Sequence, residues 1–401
     1  MHNSTRYLRG VAGLSCLIML LLIFPVTADM SWNYTIVSDP DLDGIYSDIS
    51  GDYLIYSGSI GDAIHENSTR VIQLYSLSTG EQTRIATSDQ DSTITGEGIN
   101  GNYAVWFSEA PFDSTTNTPN RIFLYSIAEK NLTAIRTGSG AEWPKVSGES
   151  VIWSESVNNS FTDSVMIYDI RTGTSSLIPD TNVNNAADVG FNGKYILYSD
   201  ANTMKLLLYS TVTGSTTTIF APAADNNTHE MIFGTALGND YVLYRKDVMV
   251  EKPRERYSEL CLYKISTGST ILLSPNTGNV IETLSESDKQ ASFDSLAAGG
   301  NRVAWTVAEG IGNDRIMVLD PATMAVSSVS PGTFVDYIHP DGRNMTWLGT
   351  GSIAGKSSIY LAKESGAQDL PATQEPPRAP GFGLIITAGG LLAGVFLVRR
   401  R

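Results

Sequence analysis

The sequence predicts an all-β fold: a seven-bladed β-propeller closed by an N-terminal strand, followed by a C-terminal transmembrane helix. Three observations carry that expectation. One unit recurs seven times between Ile45 and Leu361, its apolar runs are only four to seven residues long, and the seventh unit lacks its last strand. Runs of that length, rich in Val, Ile, Tyr and Trp and punctuated by Gly, Asn, Asp and Ser, read as strands rather than helices. Recurrence at 42 to 61 residues is the period of a propeller blade.

Each unit opens on a turn and a strand that ends in an aromatic residue. In order these are Gly51-Asp-Tyr-Leu-Ile-Tyr56, Gly101-Asn-Tyr-Ala-Val-Trp106, Gly148-Glu-Ser-Val-Ile-Trp153 and Gly193-Lys-Tyr-Ile-Leu-Tyr198. Asn239-Asp-Tyr-Val-Leu-Tyr244, Gly300-Asn-Arg-Val-Ala-Trp305 and Gly342-Arg-Asn-Met-Thr-Trp347 complete the set. Tyr53-Leu-Ile-Tyr56 is apolar on both faces, as a sheet packed between neighbouring sheets requires. A second apolar strand follows in every unit, among them Ile72–Tyr75, Ile122–Tyr125, Cys261–Tyr263 and Ile359–Leu361. A weaker strand precedes each turn, such as Trp143–Val146 and Phe334–Ile338. A fourth follows the Thr-Gly turn, such as Glu81–Ala86 and Ser269–Leu273.

The seventh unit has no fourth strand after Leu361, and Trp32–Val37 has the character of one. Residues 32–37 are therefore expected to pair with residues 357–362, which would close the ring and remove an exposed sheet edge. The recurring Trp106, Trp153, Trp305 and Trp347 are expected in blade cores. Long, dissimilar loops (58–70, 108–121, 155–164, 246–259 and 275–299) fall on one face, where recognition usually resides.

The two ends lie outside this pattern. Arg6 and Arg9 precede an uncharged apolar run from Val11 to Phe24, and Val26-Thr27-Ala28 offers small residues for cleavage after Ala28. Residues 1–28 read as a secretory signal peptide, leaving a propeller over 29–366. A Pro-rich linker spans 367–380, an uncharged apolar helix spans 381–398, and three arginines form a basic cytoplasmic tail at 399–401. That order would put the apolar helix across a membrane, with the arginines inside the cell and the repeats outside.

Residues 29–398 carry 22 basic and 42 acidic side chains, a formal charge of −20. Such a surface repels phosphate backbones and excludes a nucleic-acid partner. Once a signal peptide is removed, Cys261 is the single cysteine, so the mature chain has no intramolecular disulfide.

Two resemblances follow from these residues. The spacer, Pro380-Gly381-Phe382, the apolar helix and the terminal arginines resemble the PGF-CTERM sorting signal of archaeal surface proteins. That resemblance implies a sorting protease, an archaeosortase, acting at Pro380, Gly381 and Phe382, and a lipid anchor on the new end. The repeats, with Ile49-Ser-Gly-Asp-Tyr-Leu-Ile-Tyr56, Trp143-Pro-Lys-Val-Ser-Gly-Glu-Ser-Val-Ile-Trp153 and Ile167-Tyr-Asp-Ile-Arg-Thr-Gly173, resemble the TolB-like propellers. TolB itself is associated with six blades, whereas seven are counted in this chain.

Motifs for chemistry are sparse. His65, His229 and His339 fall in different units without metal spacing, and no Gly-x-Ser-x-Gly elbow or phosphate-binding loop occurs. Asp39-Pro-Asp41-Leu-Asp43-Gly44 alternates carboxylates ahead of a glycine, which fits either a calcium loop or a polar turn. Sequons stand at Asn33, Asn67, Asn131, Asn158, Asn226 and Asn344. The functional expectation is a non-catalytic extracellular propeller, not an enzyme, that binds or scaffolds a protein or glycan at the cell surface. An extracellular lyase or hydrolase using the variable-loop face, and a structural envelope component, are the alternatives.

Overall fold

Glycine or asparagine at each repeated turn lets two apolar strands fold back on one another, and seven such hairpins seed seven sheets. The computed structural model describes residues 31–365 except 61–68, 89–92, 110–118, 139, 157–161, 184–186, 188, 224–226, 311 and 354–355. The N-terminal strand is β1 (Trp32–Ile36). Blade one contains β2 (Leu42–Ser50), β3 (Tyr53–Ile60), β4 (Thr69–Ser76) and β5 (Gln82–Thr87). Blade two has β6 (Thr93–Asn100), β7 (Tyr103–Glu109), β8 (Asn120–Ser126) and β9 (Asn131–Gly138). Blade three has β10 (Glu142–Ser147), β11 (Ser150–Ser156), β12 (Asp163–Asp169) and β13 (Thr174–Leu177). Blade four has β14 (Gly190–Phe191), β15 (Tyr195–Ser199), β16 (Leu206–Ser210) and β17 (Thr216–Phe220). Blade five carries a fifth strand: β18 (Thr228–Leu237), β19 (Tyr241–Val250), β20 (Glu255–Lys264), β21 (Ser269–Leu273) and β22 (Val280–Ile281). The short helix α1 (Glu286–Lys289) then leads into blade six, β23 (Phe293–Gly299), β24 (Arg302–Ala308), β25 (Asp314–Asp320) and β26 (Ala325–Val329). Blade seven is β27 (Phe334–Asp341), β28 (Asn344–Ile353) and β29 (Lys356–Glu364), completed by β1.

The expected closure is present, with the partner residues 360–364 rather than 357–362. β1 pairs antiparallel with β29, from Trp32 opposite Glu364 to Ile36 opposite Tyr360. The Val37 N–H adds a bond to the Ile359 carbonyl at 2.9 Å. Trp32 fills the junction with blade six, its indole N–H donating to Ser327 Oγ at 3.0 Å.

Second strands are buried on both faces, as their unbroken apolar runs require. Trp106, Trp153, Trp305 and Trp347 are all at most 1% exposed. Trp347 lies flat on Tyr360, ring centroids 5.3 Å apart, and Tyr34 of the closing strand meets its edge at 5.7 Å. Fourth strands are outermost in every blade but the fifth, and exposure there explains the Thr- and Ser-rich β13 and β17.

Two expectations about loops are corrected. Most of 246–259 is strand, because β19 and β20 stay in register from Tyr241 opposite Lys264 to Val250 opposite Glu255, leaving a four-residue turn. Residues 275–299 hold β22, α1 and β23. The capping box of Ser285 and Asp288 satisfies the free backbone at the start of α1, and Asp288 also accepts from Ser274 Oγ at 2.6 Å.

Polar residues at five of the hairpin turns reach the neighbouring blade. Ser50 Oγ accepts from Gly101 N–H at 3.2 Å, and Asn100 Oδ1 from Gly148 N–H at 3.0 Å. Asn192 Nδ2 donates to the Gly238 carbonyl at 2.7 Å, and Asn239 Nδ2 to that of Gly300 at 2.8 Å. Asp341 Oδ2 completes the circuit by accepting from Gly51 N–H at 2.6 Å. Between blades six and seven the Gly299-Gly300 backbone lies directly against the backbone of Pro340 and Gly342. Arg302 ties the same two blades, bonding Asp320 at 2.6 Å and Glu364 at 3.2 Å from a nearly buried position.

Candidate functional site

The innermost strands β2, β6, β10, β14, β18, β23 and β27 enclose a central cavity of about 620 Å³. Because strand side chains alternate, positions one and three residues before each turn share the inward face and form two layers, and the described residues five before the turn form a third level. The layer nearest the turns is Ser50, Asn100, Ser147, Asn192, Gly238, Gly299 and Asp341.

The middle layer is Asp48, Gly98, Lys145, Gly190, Ala236, Ala297 and His339. Its large polar members come from blades seven, one and three, and its small ones from the others. Asp48 and His339 form a pair, Oδ1 to Nδ1 at 3.3 Å. Asp48 is held in place by the backbone: Oδ1 accepts from Ile49 N–H at 2.8 Å and Oδ2 from Ile99 N–H at 3.0 Å. Burial holds the His339 pKa below the usual histidine value, and Lys145 acts in the same direction, while Asp48 opposes both. The imidazole is therefore neutral at neutral pH. With Nδ1 turned to a carboxylate, its remaining nitrogen suits the role of a proton acceptor.

The third layer sits on irregular backbone. Register shifts interrupt six of the seven innermost pairings: after Gly44, Thr95, Glu142, Ile232, Asp294 and Asp336. Such bulges bend a strand and re-aim its side chains. In five blades the residue five before the turn has positive φ: Gly96, Trp143, Gly234, Ser295 and Tyr337. Tyr337 is 49% exposed, with Tyr46 at 5.0 Å between ring centroids, and Tyr46 meets the His339 ring edge-on at 5.3 Å. Asp336 has its pKa raised by burial first, then by the nearby carboxylates Asp294 and Asp314, against a bond from Ser295.

His339 is the one histidine of the sequence that reaches this cavity among the described residues. His229 is an exposed residue of β18 beside Glu251, and His65 lies outside the described residues. Asp39, Asp41 and Asp43 do not converge. Asp39 Oδ1 accepts from Asp41 N–H at 3.0 Å as a local turn, and Asp43 Oδ1 accepts from Ser357 N–H at 2.8 Å across the closing junction. Among the described residues no group of three or more His, Cys, Asp and Glu stands together as metal ligands do. Asn33 and Asn131 are exposed and Asn344 half-buried, while Asn67, Asn158 and Asn226 lie outside the described residues. So do Ala28, Pro380, Gly381, Phe382 and the expected 381–398 helix. Among the described residues no helix is long and apolar enough to cross a membrane.

No family model and no curated protein matches the chain. Solved structures do. The β-propeller domain of the Trilobed protease from Pyrococcus furiosus matches with a TM-score of 0.57 at 8% identity, over 82% of this chain and 95% of that one. That propeller has an open velcro topology, whereas here β1 closes the ring. The acylaminoacyl peptidase of Pyrococcus horikoshii matches with a TM-score of 0.56 at 9% identity, over 80% of this chain and 52% of that one. A prolyl endopeptidase matches with a TM-score of 0.53 at 10% identity, over 83% and 51%. This chain thus spans about half the length of those two peptidases. At such identities the likeness shows the propeller fold alone.

The expectation of a non-catalytic binding or scaffolding propeller, not an enzyme, is corrected by this finding. The propellers that it resembles belong to peptidases. Repeat motifs could not indicate this, because they specify blade cores and turns rather than the lining of the central cavity.

Proposed function

We propose that this chain is an enzyme-related propeller whose central cavity takes in a peptide segment as substrate. The central cavity carries the reading: one 620 Å³ space lined by all seven blades, with a carboxylate–imidazole pair fixed at its middle. The peptide class is taken from the peptidases whose propellers share the fold. Within the cavity Asp48 orients His339, and the neutral imidazole holds or receives a proton from a bound group. The expected signal peptide and the expected anchor after the Pro-rich linker would put this activity outside the cell, on a surface protein of the TolB-like type.

Photo-reactive peptides and full-length protein in detergent test the reading. Adducts should map by mass spectrometry to the innermost strands, around Tyr46, Asp48, Lys145 and His339. Peptide products should be scored in the same samples, and His339→Gln should reduce any cleavage. Adducts confined to the outermost strands, or none at all, would overturn the proposal.

A further inference from the structure

Five blades place the residue five before the turn in the left-handed backbone region. Blades two and five use Gly96 and Gly234 there, at φ +64° and +93°. Blades three, six and seven keep Trp143, Ser295 and Tyr337, at φ +52°, +46° and +49°. Glycine adopts this conformation without steric cost, whereas an L side chain does not, and bulky residues adopt it least. The fold therefore has a cheaper solution at this position and uses it twice. Where a side chain is retained, something other than backbone geometry must favour it.

For Trp143 packing supplies a reason, because it lies against Phe107 with ring centroids 5.5 Å apart. Tyr337 has much less of one. Its ring is half exposed in the cavity wall and touches Tyr46, itself a residue at the equivalent position of blade one. Tyr337 thus presents an aromatic face to the cavity, with the buried Tyr46 of the adjacent blade against it. Its surroundings are acidic: Asp294 and Asp336 line the cavity beside it, and among the described residues neither has an ion-pair partner. An aromatic face next to carboxylates without a cationic partner suits a planar cation, which stacks on the ring and is neutralised at its edge.

We propose that Tyr337, backed by Tyr46, is the specificity-determining contact of the cavity: an aromatic platform for an arginine side chain of the entering peptide. The inference rests on the peptide-binding reading above and deepens it.

Fluorescence anisotropy on the full-length protein in detergent tests it. The probes are one labelled peptide containing arginine and its counterpart containing citrulline, which keeps the planar shape and removes the charge. The arginine peptide should bind about tenfold more tightly. Tyr337→Gly should abolish that preference while leaving the melting temperature unchanged or higher, and Tyr337→Phe should keep both. A purely structural tyrosine would give the opposite pattern, a lower melting temperature with the preference intact. Equal binding of both peptides, cross-linked within the cavity, would overturn the platform but leave peptide binding standing. Failure of both peptides to bind would remove both readings.

Discussion

Replacing Gly299 by alanine isolates the closest approach between two blades. A Cβ at Gly299 would overlap the Pro340 carbonyl oxygen and stand 3.1 Å from its carbon. Both are backbone atoms of adjacent innermost strands, so no side chain can rotate away. Gly299 is not among the residues of positive φ, so the cost comes from contact alone. Overpacking of a well-packed interior costs about 1–3 kcal/mol, and a backbone-on-backbone clash belongs at the top of that range. About 3 kcal/mol in a domain of this size lowers Tm by roughly 6 °C, at about 2 °C per kcal/mol. Gly51→Ala is the control. Nothing stands within 4 Å of its Cβ, and its φ of +59° alone should cost about 1–2 kcal/mol. Urea unfolding of the full-length protein in detergent should give a lower midpoint for Gly299→Ala than for Gly51→Ala, with an unchanged slope. Equal midpoints, or a Gly299→Ala midpoint at the wild-type value, would refute the close junction of blades six and seven.

Three further outcomes are expected. Trp347→Ala should cost about 3–5 kcal/mol, but Trp347→Phe much less, because the buried indole nitrogen has no hydrogen-bond partner among the described residues; equilibrium unfolding of both variants checks this. Cys261 is buried and its thiol pKa is pushed up to about 12, chiefly by desolvation, so thiol reagents at mildly alkaline pH should label it only as fast as the chain unfolds. The lowered pKa of His339 means that the unfolded chain binds a proton before the folded one does. Its contribution should favour folding above the ordinary histidine pKa of about 6.5 and be lost as pH falls below it. His339→Gln should flatten that part of the stability–pH curve.

Much of the ring was legible because each blade repeats one local solution. A strand buried on both faces writes an unbroken apolar run, and the missing fourth strand of blade seven pointed to Trp32–Ile36. The turn-side layer was also legible in part, since Ser50, Asn100, Ser147, Asn192 and Asp341 all directly precede the turn glycine. The cavity was not. Asp48 and His339 are 291 positions apart in sequence and meet only because the last blade closes on the first. Tyr337 read as an ordinary strand aromatic, and the bulge that turns it leaves no composition signal. Alignment of the seven units on their turns would have set Tyr337 and Ser295 against Gly96 and Gly234. The 246–259 segment was misread as a loop because its charged residues interrupt the apolar pattern, although Lys246 spends its charge on Glu230 and Glu259 at 3.1 and 2.7 Å.

The closure by β1 also determines how the ring transmits a pull. Glu364 N–H bonds the carbonyl of Arg343, in the hairpin turn of blade seven, and Ser365 N–H bonds that of Ser31. Both ends of the described chain therefore leave side by side, at the rim where the hairpin turns lie. Tension applied beyond Ser365 loads β29 along its length, and the β28 and β1 pairings on either side resist in shear, with many bonds sharing the load rather than opening one by one. A tether at that end would set the turn rim toward whatever holds it and turn the dissimilar loops outward. The strand that completes the seventh blade thus acts as a mechanical clamp and as a fixed heading for the whole wheel.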